Sequence, residues 1–285
     1  MASPIIDTHP HIISPDTVRY PITPLGGKRS EWSSLRPVDF EGLVASMDAA
    51  GVDRAAIVHS STTYGYNNAY LADAIADHHE RFTGVFSVDV RSADAPAQIR
   101  YWVGRGLTGL RLFAAGSTVK ANQGWIAAPE THPAWECCAQ LQLPVAISMR
   151  LEGVPYLLDI LARFPGVRVL LDHLMLTPID DGPPYGASEG LFSLARHPNV
   201  FLKLTTNNVR RAHDGRATAA SFFGHLVEVF GSARITWGSN FPNEPGSLAD
   251  QVREARAALA FLPEADRDNI FSRTAMGLYP SLATH

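Results

Sequence analysis

Apolar residues in this chain come in short, β-branched bursts, each followed by a longer stretch with apolar positions at helical spacing. The bursts begin near Pro4, Arg54, Thr83, Leu107, Pro144, Val167, Val200 and Arg234. Their cores read IIDTH, AAIVH, GVFSVDV, LTGLRLF, PVAISM, VRVLLDH, VFLKLT and RITWGS. Runs this continuously apolar predict strands buried on both faces. Amphipathic helices are expected at residues 39–50, 67–82, 132–141, 154–164, 217–230 and 247–261, with a last one starting near Pro263 in its first turn. Gly51, Gly106 and Gly231 stand where helices close. Eight such units over residues 1–285 predict one α/β domain, a (β/α)₈ TIM barrel. An open doubly wound sheet would call for GxGxxG in the first β-turn-α, and the sequence has none there.

Two irregular stretches, 12–36 and 177–188, leave the C-terminal ends of the first and sixth strands, where barrel enzymes build their pockets. The net charge is −4, which provides no basic footprint for nucleic acid or an anionic membrane. No apolar run reaches the length of about 18 residues that a membrane span needs. Cys137 and Cys138 are neighbours within one expected helix and point in different directions, so no disulfide framework is expected. Without the charge and apolar pattern of a leader, the expected compartment is the cytoplasm. The expected partner is a small molecule; oligomeric state is not legible.

Side chains alternate along a strand, so Ile5, Asp7, His9 and His11 are expected to share one face. If that face is the barrel interior, two imidazoles emerge at its mouth, suited to a divalent metal or to a substrate carbonyl. His173 ends the sixth strand and Asn240 the eighth. Lys203 alternates with Leu202 and Leu204 and is expected inside the barrel, paired with Asp7 or Asp89. Asp172, opposite in parity to His173, is expected to secure a loop or helix.

Asp7-Thr8-His9-Pro10-His11, Gly109-Leu110-Arg111-Leu112, Leu171-Asp172-His173 and Trp237-Gly238-Ser239-Asn240-Phe241-Pro242 occur in the order of the amidohydrolase-related family, which the chain resembles over nearly its whole length. Within that family they look most like the branch of sugar-acid and pyrone lactonases. The resemblance implies a distorted TIM barrel and hydrolysis at a carbonyl. Its metal-dependent members carry His-x-His on the first strand, histidines on the fifth and sixth, and an aspartate on the eighth. This chain departs twice: the fifth strand reads Ala146-Ile147-Ser148-Met149-Arg150, and the eighth ends in Asn240. An amide is no proton acceptor at neutral pH and brings no charge to a cation. The 2-pyrone-4,6-dicarboxylate lactonase branch works without metal, and a galactarolactone isomerase resembles the chain further in having Trp-Gly-x-Asn on the eighth strand.

The expected enzyme is therefore a metal-independent hydrolase that opens a small carboxylated lactone. His9, His11 and His173 polarise the carbonyl or shuttle a proton, and Asn240 orients the water. No cofactor is required; adventitious zinc or another divalent ion would sit on His9, His11 and His173. Arg111, Arg150, His59, Tyr64, Asn207 and Arg210 are candidate substrate contacts, the arginines for a carboxylate. Lactone isomerisation, decarboxylation and a non-catalytic, ligand-binding or partner-subunit barrel remain as alternatives.

Overall fold

In the computed structural model, which describes residues 3–116, 118–119 and 122–283, eight parallel strands form one sheet in sequential order. They are β1 (Ile6–Asp7), β2 (Arg54–Val58), β3 (Phe82–Phe86), β4 (Leu107–Phe113), β5 (Val145–Ser148), β6 (Val169–Leu171), β7 (Val200–Thr205) and β8 (Ile235–Gly238). The sheet curls until β8 meets β1. There Thr8 donates its backbone N–H and its hydroxyl to the Trp237 carbonyl at 3.2 and 2.7 Å, and Ser239 N–H donates to Asp7 Oδ1 at 2.8 Å. This is the expected (β/α)₈ barrel, nearly closed, with strand starts within two residues of those read from the apolar bursts.

The helices form for the reasons their sequences suggest. Asp39 caps Phe40–Ala50 by accepting from Gly42 N–H, and Gly51 closes it at φ 66°. Thr218 and Ser247 head Ala219–Phe230 and Leu248–Ala258 with capping boxes. Val154–Arg163 buries Val154, Leu157, Ile160 and Leu161 on one stripe. Ala95–Gly104 is a further helix that the apolar spacing did not single out. The expected 67–82 helix is shorter, Ala69–Ile75, because Phe82 is recruited into β3 opposite Ala55. Pro263 is the N-cap of Glu264–Asp268, one position before the first turn. Cys137 and Cys138 are free and buried, and among the described residues no helix is long and apolar enough to cross a membrane.

Strand parity divides the core in two. Ala55, Ile57, Val145, Ile147, Val169, Leu171, Leu202 and Leu204 face the helices, whereas Ala56, Val58, Val85, Ala146 and Leu170 meet inside the barrel. The inner group is closed from below by Leu278, Tyr279 and Leu282. Two residues further along the same inward faces stand Arg111 on β4, Asp172 just past β6 and Lys203 on β7. The functional end of the barrel begins at that layer.

Candidate active site

Register explains the first feature of the site. β6 pairs with β7 so that Leu171 lies beside Leu202, and the next residues, Asp172 and Lys203, fall side by side on the inward face. Lys203 Nζ lies 2.9 Å from Asp172 Oδ1, Arg111 Nε 3.2 Å from Asp172 Oδ2, and His9 Nδ1 3.4 Å from Asp172 Oδ1, all fully or almost fully buried. The internal ion pair expected of Lys203 is present, but its partner is Asp172, not Asp7 or Asp89. Asp7 instead accepts the backbone N–H groups of His9 and Ser239, and Asp89 pairs with Arg91. Asp172 is thus the central anion of the barrel floor, not a loop fastener. Burial pushes its carboxyl up, but Lys203, His9 and Arg111 together hold it well below the usual carboxylate range. Burial also lowers Lys203, with Asp172 opposing the shift.

Parity fails for the histidines in a way that still brings them inside. Ile6, not Ile5, faces the interior; Ile5 belongs to the outer core, as do Leu43 and Phe40. The chain then bends at Thr8, so that His9 and His11 turn inward despite the phase of β1. His173 follows the inward Asp172 directly and would face outward on a continuing strand. It does not, because β6 ends at Leu171 and residues 173–176 adopt left-handed backbone, with φ of 56°, 50°, 57° and 50°. A left-handed non-glycine residue costs roughly 1–2 kcal/mol. Burial of Leu174 and Met175 in the core offsets this, as does the hydrogen bond from Asn208 Nδ2 to the His173 carbonyl at 2.9 Å.

The result is a cluster in which the His9 ring lies 5.0 Å from that of His11 and 4.7 Å from that of His173. Above it opens a cavity of about 350 Å³, lined by His11, His173, Asn240 and Arg111, with Arg150 and Asn207 also on its wall. Ser60, Thr62, Ser148 and Phe113 also line it, and Trp32 from the 12–36 stretch stacks on His11 with centroids 5.2 Å apart. His9 lies under the floor, fully buried. His11 Nδ1 is 2.7 Å from the Val58 carbonyl, an acceptor only, so Nδ1 carries the ring proton and Nε2 is the bare nitrogen. Burial pulls His11 down to about 3 and His173 to about 4, with Arg111 adding to both shifts and Asp172 opposing them. Both are neutral imidazoles at pH 7.

Three expected substrate contacts are turned elsewhere. His59 Nε2 bonds the Gly65 carbonyl at 2.9 Å, and the Tyr64 hydroxyl accepts from Ser14 N–H at 2.7 Å. Both fasten the short helix Ser61–Tyr64 behind the wall and do not line the cavity. Arg210 is held by Glu254 at 2.8 Å and reaches Glu244 at 3.6 Å. The 177–188 stretch contributes nothing to the wall; its Tyr185 packs on Phe222 and bonds Ser221. Of two wider grooves of about 600 Å³, one shares no residue with this cavity and the other adjoins it, with Trp32 and Asn243 common to both walls.

One carboxylate escaped the sequence reading. Glu244 lines the cavity, and its Oε1 lies 3.4 Å from Asn240 Nδ2. A turn brings it back, with Asn243 and Glu244 N–H both donating to the Asn240 carbonyl at 2.8 and 3.3 Å. The turn-forming string Asn-Phe-Pro-Asn-Glu was the available signal.

A family model described as amidohydrolase matches residues 6–281. The chain belongs to the amidohydrolase family. This amidohydrolase is 28% identical over 208 residues to an L-fucono-1,5-lactonase of Burkholderia ambifaria, covering 72% of this chain and 69% of the relative. A Pseudomonas putida structure carrying the name 2-pyrone-4,6-dicarboxylic acid hydrolase superposes with a TM-score of 0.79 at 17% identity, over 100% of both chains. An amidohydrolase from Burkholderia multivorans with bound zinc superposes with a TM-score of 0.71 at 20% identity, over 98% of this chain and 99% of that one. These structures share the barrel.

For a metal, the residues close enough to share an ion are His9, Asp172 and His173, with Asp172 in place of the expected His11. His9 Nε2 lacks a hydrogen-bond partner among the described residues, and Nδ1 faces Asp172 Oδ1 at 3.4 Å, as a ligand position would. Against that, the carboxylate of the group already faces the Lys203 ammonium and the Arg111 guanidinium. A dication there would stand beside two fixed cations, with one shared anion to balance all of them.

Proposed function

We infer that this amidohydrolase opens the ring of a small, carboxylated, sugar-type lactone with water. The observation that carries this reading is the cavity itself: two neutral imidazoles, an amide and a buried guanidinium converge at the C-terminal mouth of an amidohydrolase barrel. The name of the Burkholderia ambifaria relative supports a sugar lactone as substrate. Arg150, exposed at the cavity edge, supports a substrate carboxylate.

The bare nitrogen of His11 accepts hydrogen bonds and cannot donate one to a carbonyl. Polarising the lactone carbonyl therefore falls to Arg111, whose guanidinium lines the cavity and is held in place by Asp172. Water attacks the carbonyl carbon, and its proton passes to His173 Nε2, the ring nitrogen that Thr205 does not engage. Collapse of the intermediate breaks the ring C–O bond. The imidazolium then returns its proton to the ring oxygen, leaving a hydroxyl and a carboxylic acid that ionises. Its depressed pKa makes the imidazolium a strong donor at that moment. Asn240, bonded to Glu244, orients the water. No metal takes part, because Lys203 and Arg111 already supply positive charge at Asp172.

The test is a panel of sugar lactones assayed by carbon NMR, on protein treated with chelator and checked for metal content. Ring opening at undiminished rate is expected, and Asn240→Asp should retain or raise it. Activity that returns only with added metal would overturn the metal-free mechanism. Ring migration without opening would replace hydrolysis by isomerisation.

A further inference from the structure

We propose that Thr205 and Asn208 are positioning residues that set the tautomer of His173, keeping the ring proton on Nδ1 and Nε2 bare toward the cavity. The assignment follows from which groups can only donate and which can only accept. Asn208 has a fixed orientation: its Oδ1 receives the Thr205 backbone N–H at 2.9 Å, and its Nδ2 donates to the His173 carbonyl at 2.9 Å. Neither partner can reverse its role. The Thr205 hydroxyl lies 3.0 Å from the same Asn208 Oδ1, an atom that only accepts, so the hydroxyl donates there. With its one proton committed, Thr205 Oγ1 can only accept from His173 Nδ1, 3.0 Å away. Nδ1 therefore holds the proton. In the neutral ring a proton on Nδ1 leaves Nε2 with its lone pair.

The same asparagine performs two tasks. Its amide holds the carbonyl of the left-handed His173, and so directs the ring into the mouth. Its oxygen starts the chain of donors that decides which ring nitrogen is free. All of this is built from the capping box at the start of Thr206–Arg211, a local motif of the β7 end that serves the neighbouring strand. A wrong tautomer would place a donor where the water proton must go.

The catalytic consequence rests on the lactone reading; the tautomer itself does not. Full-length protein labelled with ¹⁵N-histidine reads it directly by NMR, with His173 signals identified by their loss in His173→Gln. The parent should show the proton on Nδ1. Thr205→Val removes both the acceptor and the donor, and should move the proton toward Nε2 and lower kcat roughly 100-fold with little change in KM. Thr205→Ser should restore both. Asn208→Asp keeps the acceptor for the hydroxyl and should keep the tautomer. A proton on Nε2 in the parent overturns the proposal whether or not any variant folds, as does a Thr205→Val spectrum unchanged from the parent. The stated tautomer in a protein that opens no lactone supports the proposal and sinks the substrate reading alone.

Discussion

The barrel interior has two layers built of opposite materials from the same strands. Below, Val58, Val85, Ala146, Leu170 and Tyr279 form an apolar plug; two residues further along, Arg111, Asp172 and Lys203 form a buried ionic layer. The plug does not depend on which apolar residue fills it, provided volume is kept. The ionic layer depends on each member, because removing one leaves a buried charge uncompensated. A barrel can therefore set a tolerant layer and an exacting one next to each other along its axis, one same-face step apart.

The largest effect should come from unbalancing the upper layer. Asp172→Asn, which strands the buried charges of both Lys203 and Arg111, is expected to cost about 3–5 kcal/mol in urea unfolding. If the variant were as stable as the parent, the layer would not be an ion pair in need of both partners. In the plug, Leu170→Ala should cost about 2–4 kcal/mol yet leave kcat/KM per folded molecule within about twofold. A large loss of activity there would break the division between layers.

The pH dependence of stability has a definite sign. His11, His59 and His173 are depressed to about 3, about 4 and about 4, chiefly by burial. Between those values and the ordinary histidine pKa of about 6.5, the unfolded chain binds protons that the folded chain refuses. Stability is therefore full above that pKa and is lost as pH falls toward 4. Each histidine contributes a slope of up to about 1.4 kcal/mol per pH unit. His59→Asn should remove one such increment from thermal unfolding measured between pH 6.5 and 4.5. It lies outside the cavity and should leave KM unchanged. The smallest stability effect belongs to the rim: Glu244→Gln should alter stability by less than about 0.5 kcal/mol while raising KM roughly tenfold. An unchanged KM would remove Glu244 from substrate contact.

The strands were legible because burial on both faces leaves an unbroken apolar signature, and VFLKLT even showed Lys203 as the interruption that must point inward. Its partner was not legible, since finding Asp172 requires the register that sets Leu171 beside Leu202. His9, His11 and His173 were correctly grouped, but by strand-end position and not by phase. The bend at Thr8 and the left-handed turn after Asp172 both undo the alternation on which phase depends. His59, Tyr64 and Arg210 share the composition of contact residues, and only their partners, Gly65, Ser14 and Glu254, reveal them as fasteners. Glu244 was hidden for the opposite reason: it reaches the wall from a loop, where no period marks it.

Asn240 has a φ of 61°, in the left-handed region where asparagine and aspartate are the best tolerated side chains after glycine. Those two differ there by one heavy atom and hardly at all in backbone strain. Natural variation can therefore exchange nitrogen for oxygen at the tip of the eighth strand at little backbone cost, with only the contact to Glu244 to be rearranged. A lineage of such barrels has in that position a route between reactions that leaves the backbone where it is.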